Sequence, residues 1–328
     1  RSTDDKPIRE IFDHINGRFA EIQEKDPELL NDVDYLKRNA GFTGELFLGH
    51  LRYGTFGRNA IENCHPFLRQ NNWITRNLVV AGNFNLTNVD ELFEVLLHVG
   101  QHPKEMSDTV TVLEKIGHFL DMENDLLYDA LKEKGYSNTD IYKKIAKDLD
   151  IEKILKQASE DWDGGYAMAG LLGHGDAFVL RDPSGIRPAF WYEDEEICVV
   201  ASERPVIQTA FNLKAEEIQE LKPGHALIIK KNGEINETLI NQPKEELKCS
   251  FERIYFSRGS DLDIYKERKQ LGKNIVPQII EKIDNDLDNS VFSFIPNTAE
   301  VSFFGMAKGL EDHLNEEKIE MITALGAN

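Results

Sequence analysis

The hydrophobic period of this chain changes near Tyr166, and the change limits what it can fold into. Before it, apolar residues recur at helical spacing: Ile8, Ile11, Phe12, Ile15 and Phe19, then Val89, Leu92, Phe93, Leu96 and Leu97, then Val110, Leu113, Ile116 and Leu120. Each set marks one face of a helix. Two apolar stretches interrupt this part and read as strands, Glu45–His50 and Leu78–Ala81. From Tyr166 the apolar residues come in short runs bounded by Gly, Pro and Asp: Tyr166–Leu172, Ala177–Leu180, Pro188–Tyr192, Ile197–Ala201 and Ala226–Lys230. Such runs are strands, and Lys231-Asn232-Gly233-Glu234 is a hairpin turn. Helices followed by antiparallel strands predict a layered α+β domain over residues 1–240. The polar residues after it form a linker over 241–262. A long helix from Ile264, an apolar strand Ser290–Ile295, a turn at Pro296-Asn297-Thr298, a helix Glu300–Leu314 and a strand Ile319–Ile322 then read as the opening of a parallel α/β domain over 263–328.

A chain of 328 residues exceeds the ~150 of one ordinary domain, and 41% hydrophobic residues can build a sizeable core. A net charge of −20 argues against nucleic acid or an anionic membrane as partner. No run of ~18 apolar residues is present, so no helical membrane span is expected. Cys64, Cys198 and Cys249 are widely and irregularly spaced, which fits neither a disulfide framework nor a zinc site and implies a reducing cytoplasm. The first residues, Arg1-Ser2-Thr3, are neither an initiator methionine nor a signal peptide, and the chain reads as a fragment.

Two loops carry more polar and glycine residues than turns require. Gly49-His50-Leu51-Arg52-Tyr53-Gly54-Thr55-Phe56-Gly57 combines glycines, which let backbone approach a ligand, with a guanidinium suited to a carboxylate. Gly82-Asn83-Phe84-Asn85-Leu86-Thr87-Asn88 lies between the strand at Leu78–Ala81 and the helix from Val89. That places Asn83 where strand meets helix, with Asn88 and Glu91 at capping-box spacing. Together the loops suggest an amino-acid or acyl site. Ser107-Asp108-Thr109 precedes another helix and reads as its cap, the alternative being that Asp108 binds an ammonium group. Cys64-His65 is either a catalytic pair or an ordinary packed cysteine beside an extended Pro66 turn, and the packed reading is preferred. Arg181 and Asp182, around Pro183 and Gly185, read as a buried structural pair rather than as catalysts.

These residues resemble a known family. Gly49-His50-Leu51-Arg52-Tyr53-Gly54-Thr55, Asn83 with Asn85-Leu86-Thr87-Asn88, and Ser107-Asp108 are similar to the glutamine-site motifs of class II glutamine amidotransferases, which are N-terminal-nucleophile (Ntn) hydrolases. Arg181-Asp182-Pro183-x-Gly185-Ile186-Arg187-Pro188, Ala201-Ser202-Glu203, Pro223-Gly224 and Cys249-x-Phe251-Glu252-x-x-Tyr255-Phe256-x-Arg258 resemble, within that class, the amidophosphoribosyltransferase family. The resemblance runs from about residue 42 to 310 and rests on the motifs' order. It implies a four-layer αββα Ntn-hydrolase sandwich over 1–240, followed by the start of an α/β phosphoribosyltransferase-type domain.

The same resemblance implies the chemistry. Glutamine would be hydrolysed to ammonia, which would attack PRPP (phosphoribosyl pyrophosphate) to give 5-phosphoribosylamine, the first step of purine synthesis. Arg52 would hold the glutamine α-carboxylate, Asp108 its α-ammonium, and Thr55 would help position it. Asn83 would donate its side-chain amide, and Phe84 its backbone N–H, to the oxyanion. Tyr255 and Arg258 would lie at the interdomain region through which ammonia passes. Mg²⁺ would accompany PRPP, Cys249 matches one ligand position of the 4Fe–4S cluster that some relatives carry, and the assembly would be a homo-oligomer. Three departures stand against this pattern. The family's nucleophile, an N-terminal cysteine, is missing and is expected upstream of Arg1. Phe84 occupies a position where the family has glycine. The PRPP-binding strand and loop lie beyond Asn328, so the fragment alone is expected to be inactive. Two alternatives stay open: another class II amidotransferase with a different acceptor, or a non-catalytic glutamine-binding descendant.

Overall fold

A computed structural model describes residues 1–51, 61, 64–101, 103 and 107–326. The chain forms two compact units, Arg1–Ile186 with Leu221–Glu246, and Arg187–Glu220 with Leu247–Asn328.

The first unit opens with α1 (Pro7–Lys25) and α2 (Val33–Asn39). It continues with β1 (Phe67–Arg69), β2 (Leu78–Leu86), α3 (Val89–His98), α4 (Asp108–Glu133), α5 (Asn138–Asp148), α6 (Ile151–Ser159), β3 (Gly164–Leu172) and β4 (Ala177–Arg181). The second unit contributes β5 (Phe190–Glu193), β6 (Cys198–Ala201), α7 (Arg204–Phe211) and β7 (Gln219–Glu220). The chain then returns to the first unit with β8 (His225–Ile229) and β9 (Ile235–Leu239), and ends in the second with α8 (Leu262–Asn274), α9 (Val276–Lys282) and α10 (Glu300–Gly326). This mixture of helix and antiparallel sheet is the α+β class expected from the sequence.

Among the described residues the first unit holds a six-stranded sheet, β1-β2-β3-β4-β8-β9, antiparallel at every pairing. Its helix-facing side is the core. Leu78, Val80 and Leu86 of β2 and Tyr166, Met168 and Leu172 of β3 pack with Ile116 and Leu120 of α4, Ile141 and Ile145 of α5 and Leu155 of α6. Each fully buried Ile or Leu of this kind contributes roughly 1.5–3 kcal/mol. Leu92 and Leu96 bury the expected face of α3, and Leu113, Ile116 and Leu120 that of α4. Ser107 caps α4 as expected, its Oγ accepting the Val110 N–H at 3.3 Å.

Several local expectations are corrected. β2 does not stop at Ala81 but runs to Leu86, so Asn83 lies inside a strand rather than where strand meets helix. The extension depends on β3: Leu86 pairs with Gly164 and Asn85 with Gly165. Gly164 sits at φ +118, and a Cβ there would lie 2.3 Å from the Asn85 carbonyl oxygen, so only glycine lets the ladder continue. Asn88 makes no side-chain cap on α3. Its amide donates to Asp161 O at 2.8 Å and accepts from Asp163 N–H at 3.2 Å, tying the β2–α3 turn to the α6–β3 connection. Residues 46–50 form no strand, having no ladder partner among the described residues, and Phe47 is left exposed. Ser290–Ile295 is likewise unpaired, with Val291 and Ile295 exposed. Ile319–Ile322 is helical and continues α10, because Glu316, Glu317, Lys318, Glu320, Met321 and Ala324 are strong helix formers with no break among them.

Arg181 and Asp182 are buried and structural, as read from the sequence. The Asp182 carboxylate accepts the N–H groups of Tyr166, Ser184 and Ile186, while the Arg181 guanidinium donates to the carbonyls of Leu221 and Gly185.

Lys115 carries a stability prediction. Its side chain is buried on α4, with its ammonium 3.5 Å from the exposed Asp161 carboxylate. Burial lowers its pKa, and the pull of Asp161 restores only part of the loss. A buried charge whose partner stays in solvent is often no better than an apolar side chain. Lys115→Met is expected to be as stable as the native protein at pH 7 or more so, by up to about 2 kcal/mol in urea unfolding. The unfolded chain binds the proton more tightly than the folded one, so native stability rises as pH climbs through the folded-state pKa. The advantage of the methionine variant therefore shrinks toward alkaline pH. A less stable variant at pH 7 would refute this account.

The second unit has a three-stranded antiparallel sheet ordered β6-β5-β7 and a helical part. Arg204 at the start of α7 grips Asp261, the N-cap of α8, through Nε at 2.9 Å and Nη2 at 2.8 Å. α8 and α10 pack in close contact where Gly272 faces Ser302 and Gly305 faces Lys269. Val276, Met306 and Leu310 form the small core beside this crossing.

Candidate functional site

The candidate site follows from which part of β2 is covered. Among the described residues β1 pairs with Leu78, Val79 and Val80, and the same edge of β2 from Gly82 to Leu86 is met by side chains. His65 Nδ1 accepts the Gly82 N–H at 3.3 Å. Asp108 Oδ2 accepts the Leu86 N–H at 3.2 Å. Alternate residues of a strand turn their N–H groups to the same edge, so the Phe84 N–H lies between these two. Tyr166, opposite Phe84, agrees: its N–H and carbonyl are both spent on Asp182, on the far side of β3.

Side chains alternate in the other direction. Leu78, Val80, Phe84 and Leu86 turn to the helical core, whereas Asn83 and Asn85 are exposed on the opposite face. Phe84 keeps an ordinary negative φ, since the non-glycine residues at positive φ are Phe42, Asn212, Asp284 and Asn285. The phenylalanine is therefore accommodated without turning its N–H away from the edge, and its ring does not enter the face that displays Asn83.

Asp108 is the first residue of α4, where the helix dipole favours its negative charge. Among the described residues, its hydrogen bond to Leu86 uses one carboxylate oxygen and leaves Oδ1 without a donor.

Read from spacing, His65 has no role beyond a pairing with Cys64. The structure places its ring parallel to His50 (centroids 4.3 Å apart) and Phe84 (5.9 Å), with its Nε2 3.3 Å from Thr109 Oγ1. Both ring nitrogens are thereby engaged. The Cys64 thiol lies 4.0 Å from the Ser2 carbonyl oxygen, in keeping with a packed cysteine. The signal for His65 was available in Cys64-His65-Pro66-Phe67 leading into β1, but its partners lie 17 and 44 residues away.

Arg52 and Thr55 lie outside the described residues. Asn83 and Phe84 lie on β2, and Asp108, at the start of α4, meets the same strand at Leu86. Tyr255 and Arg258 belong to the second unit. Tyr255 is exposed on the single π-helical turn Glu252–Phe256, and Arg258 Nε lies 3.4 Å from Glu203. Cys249 Sγ is 3.9 Å from the Arg187 guanidinium, which also donates to Glu252 at 2.6 Å. A 4Fe–4S cluster takes four ligands, usually thiolates, and among the described residues no group of three or more His, Cys, Asp or Glu could hold a metal. No described helix is long and apolar enough to cross a membrane.

Comparison with known proteins agrees with the motifs. The family of class II glutamine amidotransferases matches residues 12–133. Amidophosphoribosyltransferase of Archaeoglobus fulgidus is 29% identical over 251 residues, covering 75% of this chain and 47% of the relative. That of Saccharomyces cerevisiae is 28% identical over 287 residues, covering 83% and 51%. Among solved structures, the glutamine PRPP amidotransferase from B. subtilis complexed with ADP and GMP aligns with a TM-score of 0.54 at 25% identity, over 80% of this chain and 49% of that one. An allosteric regulatory enzyme of purine biosynthesis aligns with a TM-score of 0.55 at 26% identity. The chain thus spans about half the length of the relatives it matches. With its glutamine-site motifs, its α+β architecture and these relatives in agreement, the chain is similar to the class II glutamine amidotransferases and, within them, to the amidophosphoribosyltransferases.

Proposed function

We propose that the complete protein is a glutamine-dependent amidophosphoribosyltransferase, releasing ammonia from glutamine and passing it to PRPP to form 5-phosphoribosylamine. The observation that carries this reading is the edge of β2 beyond its pairing with β1, where the Phe84 N–H sits between the Gly82 and Leu86 N–H groups that side chains accept, and beside Asn83. Acyl transfer needs donors fixed where negative charge develops. In this reading a thiolate, the N-terminal cysteine of the complete protein, attacks the glutamine amide carbonyl. Asn83 Nδ2 and the Phe84 N–H receive the oxyanion, ammonia leaves, and water hydrolyses the thioester. Asp108 Oδ1 accepts from the substrate α-ammonium, Arg52 clamps its α-carboxylate and Thr55 positions it.

Residues 1–240 would then be the glutaminase domain, 241–262 a linker and 263–328 the beginning of the transferase domain. Tyr255 and Arg258 would border the route of ammonia to the second centre. Mg²⁺ would bind there with PRPP, and a 4Fe–4S cluster would need three more ligands than Cys249 supplies. The protein would work in the cytoplasm as a homo-oligomer.

The test is ammonia release from glutamine by the complete protein, with and without PRPP. Release that PRPP stimulates, with pyrophosphate formed, is expected. Release indifferent to PRPP would retain the glutaminase and assign another acceptor. No release would leave a protein that binds glutamine without turning it over.

A further inference from the structure

We propose that His65 is a positioning residue of the glutamine site, clamping the strand that carries Asn83 and Phe84 to the helix that carries Asp108. The inference rests on the glutaminase reading for its consequence in catalysis, but its geometry stands independently.

The imidazole uses both nitrogens, on two different elements. Nδ1 accepts the N–H of Gly82, the residue before Asn83. Nε2 lies 3.3 Å from the hydroxyl of Thr109, the residue after Asp108. A nitrogen that accepts an N–H cannot carry a proton, so the proton sits on Nε2 and the ring donates it to Thr109 Oγ1. This is the neutral tautomer, and it serves both elements only in this orientation. The ring cannot rotate freely, because its faces meet His50 at 4.3 Å and Phe84 at 5.9 Å and its edge meets Phe67 at 5.2 Å. Thr109 is itself buried.

The strand end of the clamp is equally constrained. A Cβ on Gly82 would come within 2.6 Å of the Ala167 carbonyl oxygen and 2.8 Å of Met168 Cα, so β2 approaches β3 closely there. With that approach set, the Gly82 N–H projects from the edge of β2 opposite β3, where His65 receives it. Asp108 makes a second tie, to Leu86. The Phe84 N–H is held between the two ties, and the Phe84 ring forms one wall of the imidazole's slot. This assigns a purpose to the aromatic side chain at position 84: it supports the residue that steadies its own backbone.

Oxyanion donors must be held to within about 0.5 Å to be useful. A displacement of about 1 Å can cost ~10²-fold in rate. The complete protein with His65→Ala is therefore expected to lose ~10²-fold in glutamine-dependent kcat, with a smaller change in the KM for glutamine. Synthesis from free ammonia, which bypasses this site, and the unfolding midpoint serve as fold controls. His65→Asn carries an amide oxygen in the place of Nδ1, keeps an acceptor for Gly82, and is expected to recover most of the loss. His65→Gln reaches Thr109 but not Gly82 and is expected to recover little. Hydrogen exchange at the Gly82 amide gives a readout that needs no catalysis: it should speed up in His65→Ala and slow again in His65→Asn.

A His65→Ala protein with glutamine-dependent kcat within about twofold of native, or with unchanged Gly82 exchange, would overturn the clamp. Parallel loss with glutamine and with ammonia would overturn it too. If the native protein releases no ammonia from glutamine, the glutaminase reading fails by itself, and Gly82 exchange alone decides the clamp.

Discussion

Gly305→Ala is expected to undo the packing of α8 on α10. A methyl group at position 305 would lie 1.9 Å from the Lys269 carbonyl oxygen and 2.7 Å from its carbon. The obstacle is helix backbone, so no side chain can swing aside. Gly272 faces the reverse problem, its Cβ falling 1.8 Å from Ser302 O, and the two glycines make the crossing a backbone-to-backbone contact. Separating the helices would also pull Met306 and Leu310 from Val276. Overpacking of this kind costs about 3 kcal/mol or more, against a helix-propensity gain of about 1 kcal/mol for Gly→Ala. The net is a clear loss, read as a lowered unfolding midpoint of the second unit. Gly17→Ala, inside α1 with nothing within 4 Å of the new methyl, is the matched control. It is expected to gain up to about 1 kcal/mol. Equal stability of the Gly305→Ala and native proteins would mean the helices do not cross this closely.

Asn83→Ala is expected to lower glutamine-dependent kcat by ~10²–10³, or about 3–4 kcal/mol of transition-state stabilisation. Asn83 sits on β2 with its side chain on the exposed face, so truncation removes no core packing. Stability should change by no more than about 1.5 kcal/mol, the range of one hydrogen bond, which separates the catalytic effect from a folding effect. An oxyanion donor acts mainly after attack has begun, so KM for glutamine should move little while kcat falls. Asp108→Ala should behave differently. It removes a proposed ground-state contact to the α-ammonium and the acceptor of the Leu86 N–H together, raising KM as well as lowering kcat. Native-like kcat in Asn83→Ala would remove that residue from the oxyanion hole.

Much of the fold was legible because its signals are local. The faces of α3 and α4 are read from spacing alone, and Leu92, Leu96, Leu113, Ile116 and Leu120 are buried as that spacing demands. The short strands after Tyr166 form where their runs lie, and the hairpin at Lys231–Glu234 closes with Gly233 at φ +88. The misread stretches share a different cause. Ser290–Ile295 has the composition of a strand, but a strand exists only when another supplies its ladder. Ile319–Ile322 looks apolar over four residues, yet its helix-forming neighbours carry α10 through it.

The chemistry of the candidate site divides in the same way. Residue types at particular spacings, an asparagine after an apolar strand and an acid at a helix start, were enough to single out Asn83 and Asp108. That Asp108 meets the strand of Asn83 was not determined by spacing. It depends on β2 running on to Leu86, which depends on Gly164 accepting a positive φ in a strand nearly eighty residues later. The partners of His65 and the direction of the Phe84 ring likewise come from which edge and face of β2 each group meets. Periodicity and capping are properties of neighbouring residues, so the chain by itself determined its helices, most of its strands and the inventory of polar groups. Register, strand edges and backbone approach are set by residues distant in the chain, so only the tertiary structure decided which of those groups face one another.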